Sequence, residues 1–420
     1  MTADPVTVAI PTEVLDAGPQ MQGSSSIVPA GDEACGYEYS YADLFTERLR
    51  AAGQAISTVQ APLPPEYIHM SPEELDARIY SAKATLGDRL FILGHHYQRD
   101  EIIKFADARG DSFKLSQLAA ARPTASHLVF CGVHFMAESA DILSGANQQV
   151  ILPNLSAGCS MADMASTDDV LACWDQLTAE LGDDHGIIPV TYMNSAAALK
   201  AFCGHHGGIV CTSSNARSVL NWAFERGRRV LFFPDQHLGR NTALAMGIPM
   251  EEMALWTPGA YLGGQTLAAL ERSRVILWRG HCSVHGRFRP EQIGSARASD
   301  PDVKIIVHPE CPREVVDLAD YVGSTEYIIK VVTEAPDGTS WAVGTEIHLV
   351  NRLQTELPGK RVVCLDPVVC PCSTMYRVHP AYLAWALDNL VEGTVVNRVQ
   401  VDETVAQWAR IALDRMLAVP

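Results

Sequence analysis

Short apolar, β-rich runs alternate along most of the chain with stretches whose apolar residues recur every three or four positions. The first clear element is "SPEELDARIYSAKATLG". Ser71 stands there as an N-cap with Glu74 three residues on, followed by an apolar stripe and a closing glycine, which predicts a helix. It leads into the apolar run of "RLFILGHHY". From there one order repeats: an apolar run, a polar residue or cysteine where the run ends, then helical spacing. The runs are "RLFILG", "HLVFCG", "QVILP", "IIPVTY", "GIVCTS", "RVLFFPD", "RVILWRG", "VKIIVHP", "EYIIKVV", "WAVGTE" and "RVVCLD". Continuous apolar strands alternating with helices predict parallel sheets covered on both faces, and so an α/β fold.

These runs fall into three stretches of similar layout, about residues 80–180, 181–268 and 269–375. Each puts polar groups just after its strands: His95 and Cys131, then Tyr192 and Ser213, then Cys282 and His308. A shared layout at this spacing predicts an internally triplicated architecture. Ligands bind beyond the carboxyl ends of parallel strands, so three crevices could face one central site. The expected organisation is a first α/β unit over 36–180, with N-terminal helices and packing from C-terminal residues, then units over 181–268 and 269–375. C-terminal helices follow over 376–420, where Leu383, Leu387 and Leu390, and then Val405, Trp408, Ala412 and Met416, make packing stripes. Residues 1–35, rich in Pro, Gly, Ser, Ala and Thr and without a period, are expected to be a mobile extension. The acidic stretch from Met161 to Ile187 reads as a helical insertion.

With 420 residues and 47% hydrophobic content, the chain can bury a large core in two or three units. A formal net charge of −17 without a basic run argues against a nucleic-acid partner. No uncharged apolar run is long enough to cross a bilayer, and the start lacks a basic leader before an apolar core. A cytoplasmic protein with no membrane partner is expected. Eleven cysteines, an odd number, then speak against a disulfide framework. Most should be small core residues and a minority ligands or nucleophiles. Cys131, Cys211 and Cys282 end apolar runs where a side chain can reach a cavity; Cys159, Cys173, Cys203 and Cys311 fit core packing better. In "VCPCSTM", Cys370 and Cys372 stand one residue apart, and no CxxC pair supports a zinc ribbon or a thioredoxin-like motif.

The segments "GHHYQRDEIIKFADARGDSFKLSQLA", "VFCGVHFMAESADIL", "VTYMNSAAALKA", "CTSSNA", "FPDQHLGRN", "GHCSVHGRF", "VHPECP" and "CSTM" occur in this order over roughly residues 85–376. Together they resemble quinolinate synthase, the iron–sulfur enzyme family of bacterial NAD biosynthesis. The resemblance implies three αβα units related by pseudo-threefold symmetry, each with a short parallel sheet, around a central site. It further implies one cysteine from each unit bound to a four-iron four-sulfur (4Fe-4S) cluster: Cys131 in "VFCGVHFMAE", Cys282 in "GHCSVH" and Cys372 in "CPCSTM". Cys372 precedes Met375 by three positions as the family ligand does, while Cys370 has the proline that often follows that ligand. Three soft thiolates leave one iron open as a Lewis acid. The implied reaction condenses iminoaspartate with dihydroxyacetone phosphate to quinolinate, with loss of phosphate and two waters. An aspartate-oxidising enzyme would supply the iminoaspartate.

Implied catalytic residues are Glu310, Tyr97 and His95, and implied substrate-binding residues are His95, Ser112, Tyr192, Asn194, Ser213, His308, Glu310 and Thr325. Their types suit the task. Pro309 fixes the backbone between the His308 imidazole and the Glu310 carboxyl, two groups able to move protons. Tyr192 and Asn194 offer a donor–acceptor pair for a carboxylate, and Ser112 can cap a helix while touching a ligand. Two other readings are another cluster-dependent dehydratase of a di- or tricarboxylate and a non-enzymatic iron–sulfur redox sensor. Formation of quinolinate separates the first, and the response to Glu310→Gln the second.

Overall fold

A computed structural model describes residues 41–54, 60–368 and 371–419 of the chain. The expected extension over 1–35 and the thiol of Cys370 lie outside these residues. The fold is α/β, with three short sheets. The first sheet holds β1 (Leu90–His95), β2 (Ala108–Gly110), β3 (His127–Cys131) and β4 (Gln149–Ile151). The second holds β5 (Ile187–Tyr192), β6 (Ile209–Cys211), β7 (Arg229–Phe233), β8 (Met253–Trp256) and β9 (Val275–Trp278). The third holds β10 (Lys304–Val307), β11 (Tyr321–Val322), β12 (Ser340–Gly344) and β13 (Arg361–Cys364). All pairs within these strands are parallel. A short β14 (Arg398–Val399) adds to the first sheet, antiparallel to β4.

One strand order recurs. The sheets read β2-β1-β3-β4, β6-β5-β7-β9 and β11-β10-β12-β13, with β8 appended outside β9 and β14 outside β4. In each unit the second strand lies on one side of the first and the third on the other, which makes a topological switch point beside the first strand. Strand β9 comes from "RVILWRG", expected in the third unit, yet it hydrogen-bonds between β7 and β8. The second unit therefore runs on to about Trp278.

Burial on both faces explains the unbroken apolar runs: every residue of β1 is buried. In the third sheet Ile305, Val307 and Ala342 pack on one face, whereas Ile306, Trp341 and Val343 pack on the other. The helix Pro72–Leu86 forms as its sequence predicts. Ser71 and Glu74 complete a capping box, and Leu75, Ile79, Ala82 and Leu86 are buried. The run "EYIIKVV", expected as a strand, instead lies in the helix Thr325–Glu334. Ser324 accepts the Tyr327 N–H at 3.3 Å, and Ile328 and Val332, four apart, point inward. A helical period inside a β-branched run outweighed the propensity of its residues.

C-terminal helices bind the units together. Pro380–Val391 packs on Pro72–Leu86, and Glu403–Ala418 lies along the helix Ala197–His205 of the second unit. A Cβ on Gly204 would come within 1.9 Å of the Trp408 carbonyl oxygen, so that crossing requires glycine.

Candidate active site

Three strand ends from three units converge on one cavity, open to solvent, with about 700 Å³ of unfilled space. Each first strand ends in two cavity residues spaced i, i+2: His95 and Tyr97 after β1, Tyr192 and Asn194 after β5, His308 and Glu310 after β10. Each second strand supplies a hydroxyl two residues past the strand partner. His95 faces Gly110 and Tyr192 faces Cys211, while Val307 faces Val322 one step before His308. Ser112, Ser213 and Thr325 thus occupy one repeated position, and all three line the cavity. The structure brings all nine of these sequence-predicted polar residues together.

The thiols differ from expectation. Cys131 ends β3, opposite Gly94, with 0% exposure in the main core, and it is not among the cavity residues. Cys159, read as core packing, lines the cavity together with Cys282 and Cys372. The three follow the strand in the fourth place of each recurring order, β4, β9 and β13. They also share a backbone device. The N–H four residues on returns to the cysteine carbonyl: Asp163 to Cys159 at 3.1 Å, Gly286 to Cys282 at 2.9 Å and Tyr376 to Cys372 at 2.9 Å. A single 3-10 turn then begins three residues after each thiol, at Ala162, His285 and Met375. The N–H of that residue also points at the sulfur in all three loops. A signal for Cys159 was in the sequence. The dipeptide Cys-Ser occurs at 159–160, 282–283 and 372–373 and nowhere else, whereas Cys131 precedes a glycine.

Do these thiols suit a metal cluster? They are soft donors from three distant segments, each partly open to the same cavity. Burial pushes Cys159 up to about 12, and the thiols raise one another further: Cys372 acts on Cys159, and both act on Cys282. Three neighbouring thiolates in so dry a place need cationic compensation, which bound iron provides. The donor set fits a cluster held by three cysteines.

The acid–base groups are equally organised. Glu310, 3% exposed, accepts the Tyr192 hydroxyl at 2.6 Å on Oε1 and faces His285 Nδ1 at 2.9 Å on Oε2. Burial alone would raise its carboxyl. The His285 and His308 imidazoles and these hydrogen bonds outweigh it and hold Glu310 below the usual range, as a carboxylate. His285 escaped the sequence reading, although "GHCSVH" contains it; it is buried, and its ring stacks on His308 at 4.4 Å.

His95 and His308 are set alike. The N–H of Tyr97 donates to His95 Nδ1 at 3.1 Å, and that of Glu310 donates to His308 Nδ1 at 3.3 Å. Burial first, then neighbouring cations, push both rings down to about 3. Each is therefore neutral with its proton on Nε2, a donor suited to an anion. Tyr97 reaches the Thr325 hydroxyl at 3.0 Å, which ties the first unit to the third. Buried Lys200 donates to the Ser195 carbonyl beside Asn194, and burial pulls its ammonium down to about 8.

Comparison with known proteins points to one family. The family model described as quinolinate synthetase A protein matches residues 77–418. A quinolinate synthase of Corynebacterium glutamicum is 63% identical over 86% of this chain and 91% of its own. One of Rhodopirellula baltica is 56% identical over 85% and 94%, and one of Geobacillus kaustophilus 53% identical over 85% and 96%. With the matched span enclosing every residue that lines the cavity, the chain belongs to the quinolinate synthetase A family.

Proposed function

We propose that this protein condenses iminoaspartate with dihydroxyacetone phosphate to quinolinate, and that Cys159, Cys282 and Cys372 hold the 4Fe-4S cluster of that reaction. The observation that carries the reading is the threefold equivalence of those thiols around a ring of polar strand ends, with Cys159 in the place first given to Cys131. When bound by three thiolates, such a cluster supplies an open iron as a Lewis acid for carboxylate and hydroxyl oxygens.

The chain's own groups divide the remaining work. Both substrates are anions, and the protein carries a net charge of −17. Local donors must overcome that field. Ser112 and Thr325 open the helices Ser112–Ala120 and Thr325–Glu334, and Ser213 shortly precedes Ala216–Phe224. Three helix N-termini thus face phosphate and carboxylate oxygens, each with a hydroxyl. His95 and His308 add neutral Nε2–H donors, which leave the total charge unchanged. Asn194 and Tyr192 orient a carboxylate. Glu310, kept ionised, takes a proton from the carbon or nitrogen that forms the new bond, and Tyr97 is a second proton-handling group of the cavity. Iminoaspartate would come from an aspartate-oxidising enzyme.

The test is anaerobic reconstitution with iron and sulfide, followed by incubation with dihydroxyacetone phosphate and freshly generated iminoaspartate. Quinolinate should accumulate with release of one phosphate per turnover. Iron-loaded protein that yields no quinolinate would sink the reading.

A further inference from the structure

We propose that Asp235 and Glu346 are positioning residues that brace the backbone of two cluster thiols, Cys282 and Cys372, and that valine in the equivalent place, Val133, makes Cys159 the corner that lets go first. The inference rests on the reading of these three thiols as the cluster ligands.

Asp235, Glu346 and Val133 occupy one repeated position. Each stands two residues past the strand in the third place of its sheet's order, β7, β12 and β3. Each is also the N-cap of the helix that follows, Gln236–Ala245, Ile347–Glu356 and His134–Leu143. The thiol loop of the same unit passes over that helix start. The N–H of the first helical residue donates to the carbonyl two residues before the cysteine: Gln236 to Gly280 at 3.0 Å, and His134 to Ala157 at 2.8 Å. In the third unit the matching carbonyl belongs to Cys370, outside the described residues. A Cβ on Gly280 would come within 2.2 Å of the Pro234 carbonyl oxygen, so the second loop rests directly on the residue before Asp235.

This placement sets the N-cap side chain beside the N–H of the cysteine itself. A carboxyl group has two oxygens, so one can cap the helix while the other holds the loop. Glu346, 0% exposed, does both: Oε2 accepts the His348 N–H at 2.8 Å, and Oε1 accepts the Cys372 N–H at 3.2 Å. Asp235, equally buried, accepts the His237 and Leu238 N–H groups on Oδ1 at 2.6 and 2.8 Å. Its Oδ2 is buried without a closed hydrogen bond among the described residues, and the Cys282 N–H is turned toward this carboxyl. A buried acceptor left unpaired is costly, so the facing donor is its natural partner. Val133 has no acceptor to offer, and its helix starts without a side-chain cap.

The consequence is mechanical. Outer-shell partners fix the direction of metal ligands and hold metal affinity. Cys282 and Cys372 have such a partner behind their own N–H, whereas Cys159 relies on the turn that all three loops share. A cluster held here has two fixed corners and one compliant corner, beside the apolar wall made by Val133, Phe135 and Met136.

The experiment follows the thiols and not the reaction. Cluster-loaded protein is exposed anaerobically to an iron chelator together with iodoacetamide, samples are stopped at intervals, and peptide mass spectrometry reads which cysteines are alkylated. Each rate is divided by that of the same thiol in cluster-free protein, which removes differences in access. Cys159 should be alkylated before Cys282 and Cys372 in the wild type. Asp235→Asn keeps the capping oxygen but turns an amide NH2 toward the Cys282 N–H; it should speed alkylation of Cys282 roughly tenfold, and by more than that of Cys372. Glu346→Ser keeps a capping oxygen without the second one, and should do the converse. Equal relative rates for the three thiols in the wild type, or an unchanged order in both variants, would overturn the proposal. The wild-type order needs no variant, so it decides even where a variant fails to fold. If loaded protein protects none of the three thiols, the reading of them as ligands fails; if it protects all three alike, only the brace fails and the site stands.

Discussion

The first and third units repeat one another at three of their four strand ends and part company at the remaining one. After the first strands, His95-His96-Tyr97 matches His308-Pro309-Glu310, each with a buried neutral imidazole clamped by the backbone N–H two residues on. Ser112 matches Thr325 after the second strands, and Cys159 matches Cys372 after the fourth. The third strands differ. β3 ends in apolar Cys131, whereas β12 ends beside Thr345 and Glu346, and Glu346 accepts the Cys372 N–H at 3.2 Å. The polar and thiol groups of the cavity come from repeat positions one, two and four. Position three adds only the apolar Val133, Phe135 and Met136 in the first unit, and it is polar support in the third.

The largest effect should separate those positions within a single unit. Cys159→Ala is expected to abolish cluster assembly and turnover, as are Cys282→Ala and Cys372→Ala. Cys131→Ala should keep its iron and most of its rate while losing about 1 kcal/mol of stability as a small core truncation. Iron and sulfide analysis after anaerobic reconstitution decides it. Iron retained by Cys159→Ala and lost by Cys131→Ala would break the equivalence of the fourth-strand loops.

Next in size come the two groups proposed to handle protons at the first-strand ends. Glu310→Gln keeps the shape of the side chain but cannot take a proton, and should lower kcat by roughly 10²- to 10⁴-fold with iron retained. Tyr97→Phe removes the hydroxyl at the matching position and should also lower kcat, measured by the same quinolinate assay. A large loss in one with none in the other would mean that the two units divide the chemistry unequally despite their matched geometry.

Much of this organisation was legible in the chain before folding. Unbroken apolar runs announce parallel strands because both sheet faces are covered, and the polar strand ends announce a cavity because that is where such sheets bind ligands. What spacing could not give was which thiol turns inward. Cys131 ends an apolar run as Cys282 nearly does, and only its place as third strand, fixed by long-range pairing to Gly94, sends it into the core. The run at Tyr327–Val332 was misread because its β-branched residues favour strands, while the helical choice depends on the Ser324 cap and on packing against the third sheet. His285 was invisible for another reason: one histidine in a loop gains meaning only from its partners Glu310 and Thr345.

A smaller effect should appear in acid. His95 and His308 are held near 3 when folded, against an unfolded value of 6.5. Between those values the unfolded chain binds protons that the native state refuses. Stability is therefore fully present above about pH 6.5 and falls as pH drops through the window, by up to roughly 1.4 kcal/mol per pH unit for each ring. His95→Gln and His308→Gln should each flatten that fall in anaerobic urea unfolding between pH 4.5 and 7. Equal slopes in wild type and variants would show that the rings take up protons in the fold, and the matched backbone clamps would then not fix their tautomer.

The smallest effect concerns the helices that carry the paired hydroxyls. Asp111 caps Ser112–Ala120 by accepting the Lys114 N–H at 2.9 Å, and its second oxygen lies 3.4 Å from the Ser214 hydroxyl of the second unit. Ser324 caps Thr325–Glu334 through the Tyr327 N–H at 3.3 Å and, among the described residues, makes no comparable link between units. Removing either cap leaves an N–H without its partner at the helix start, at about 1 kcal/mol for Ser324→Ala. Asp111→Ala should cost more, up to about 2 kcal/mol, because it also frees the neighbouring unit's turn. Thermal unfolding measures both, and Asp111→Ala should in addition raise KM, since Ser213 and Ser112 line the same cavity on the two sides of that link. Equal costs would mean that the Asp111–Ser214 link contributes nothing, and that other contacts such as the Ala197 N–H to Glu138 hydrogen bond at 3.0 Å join the first unit to the second.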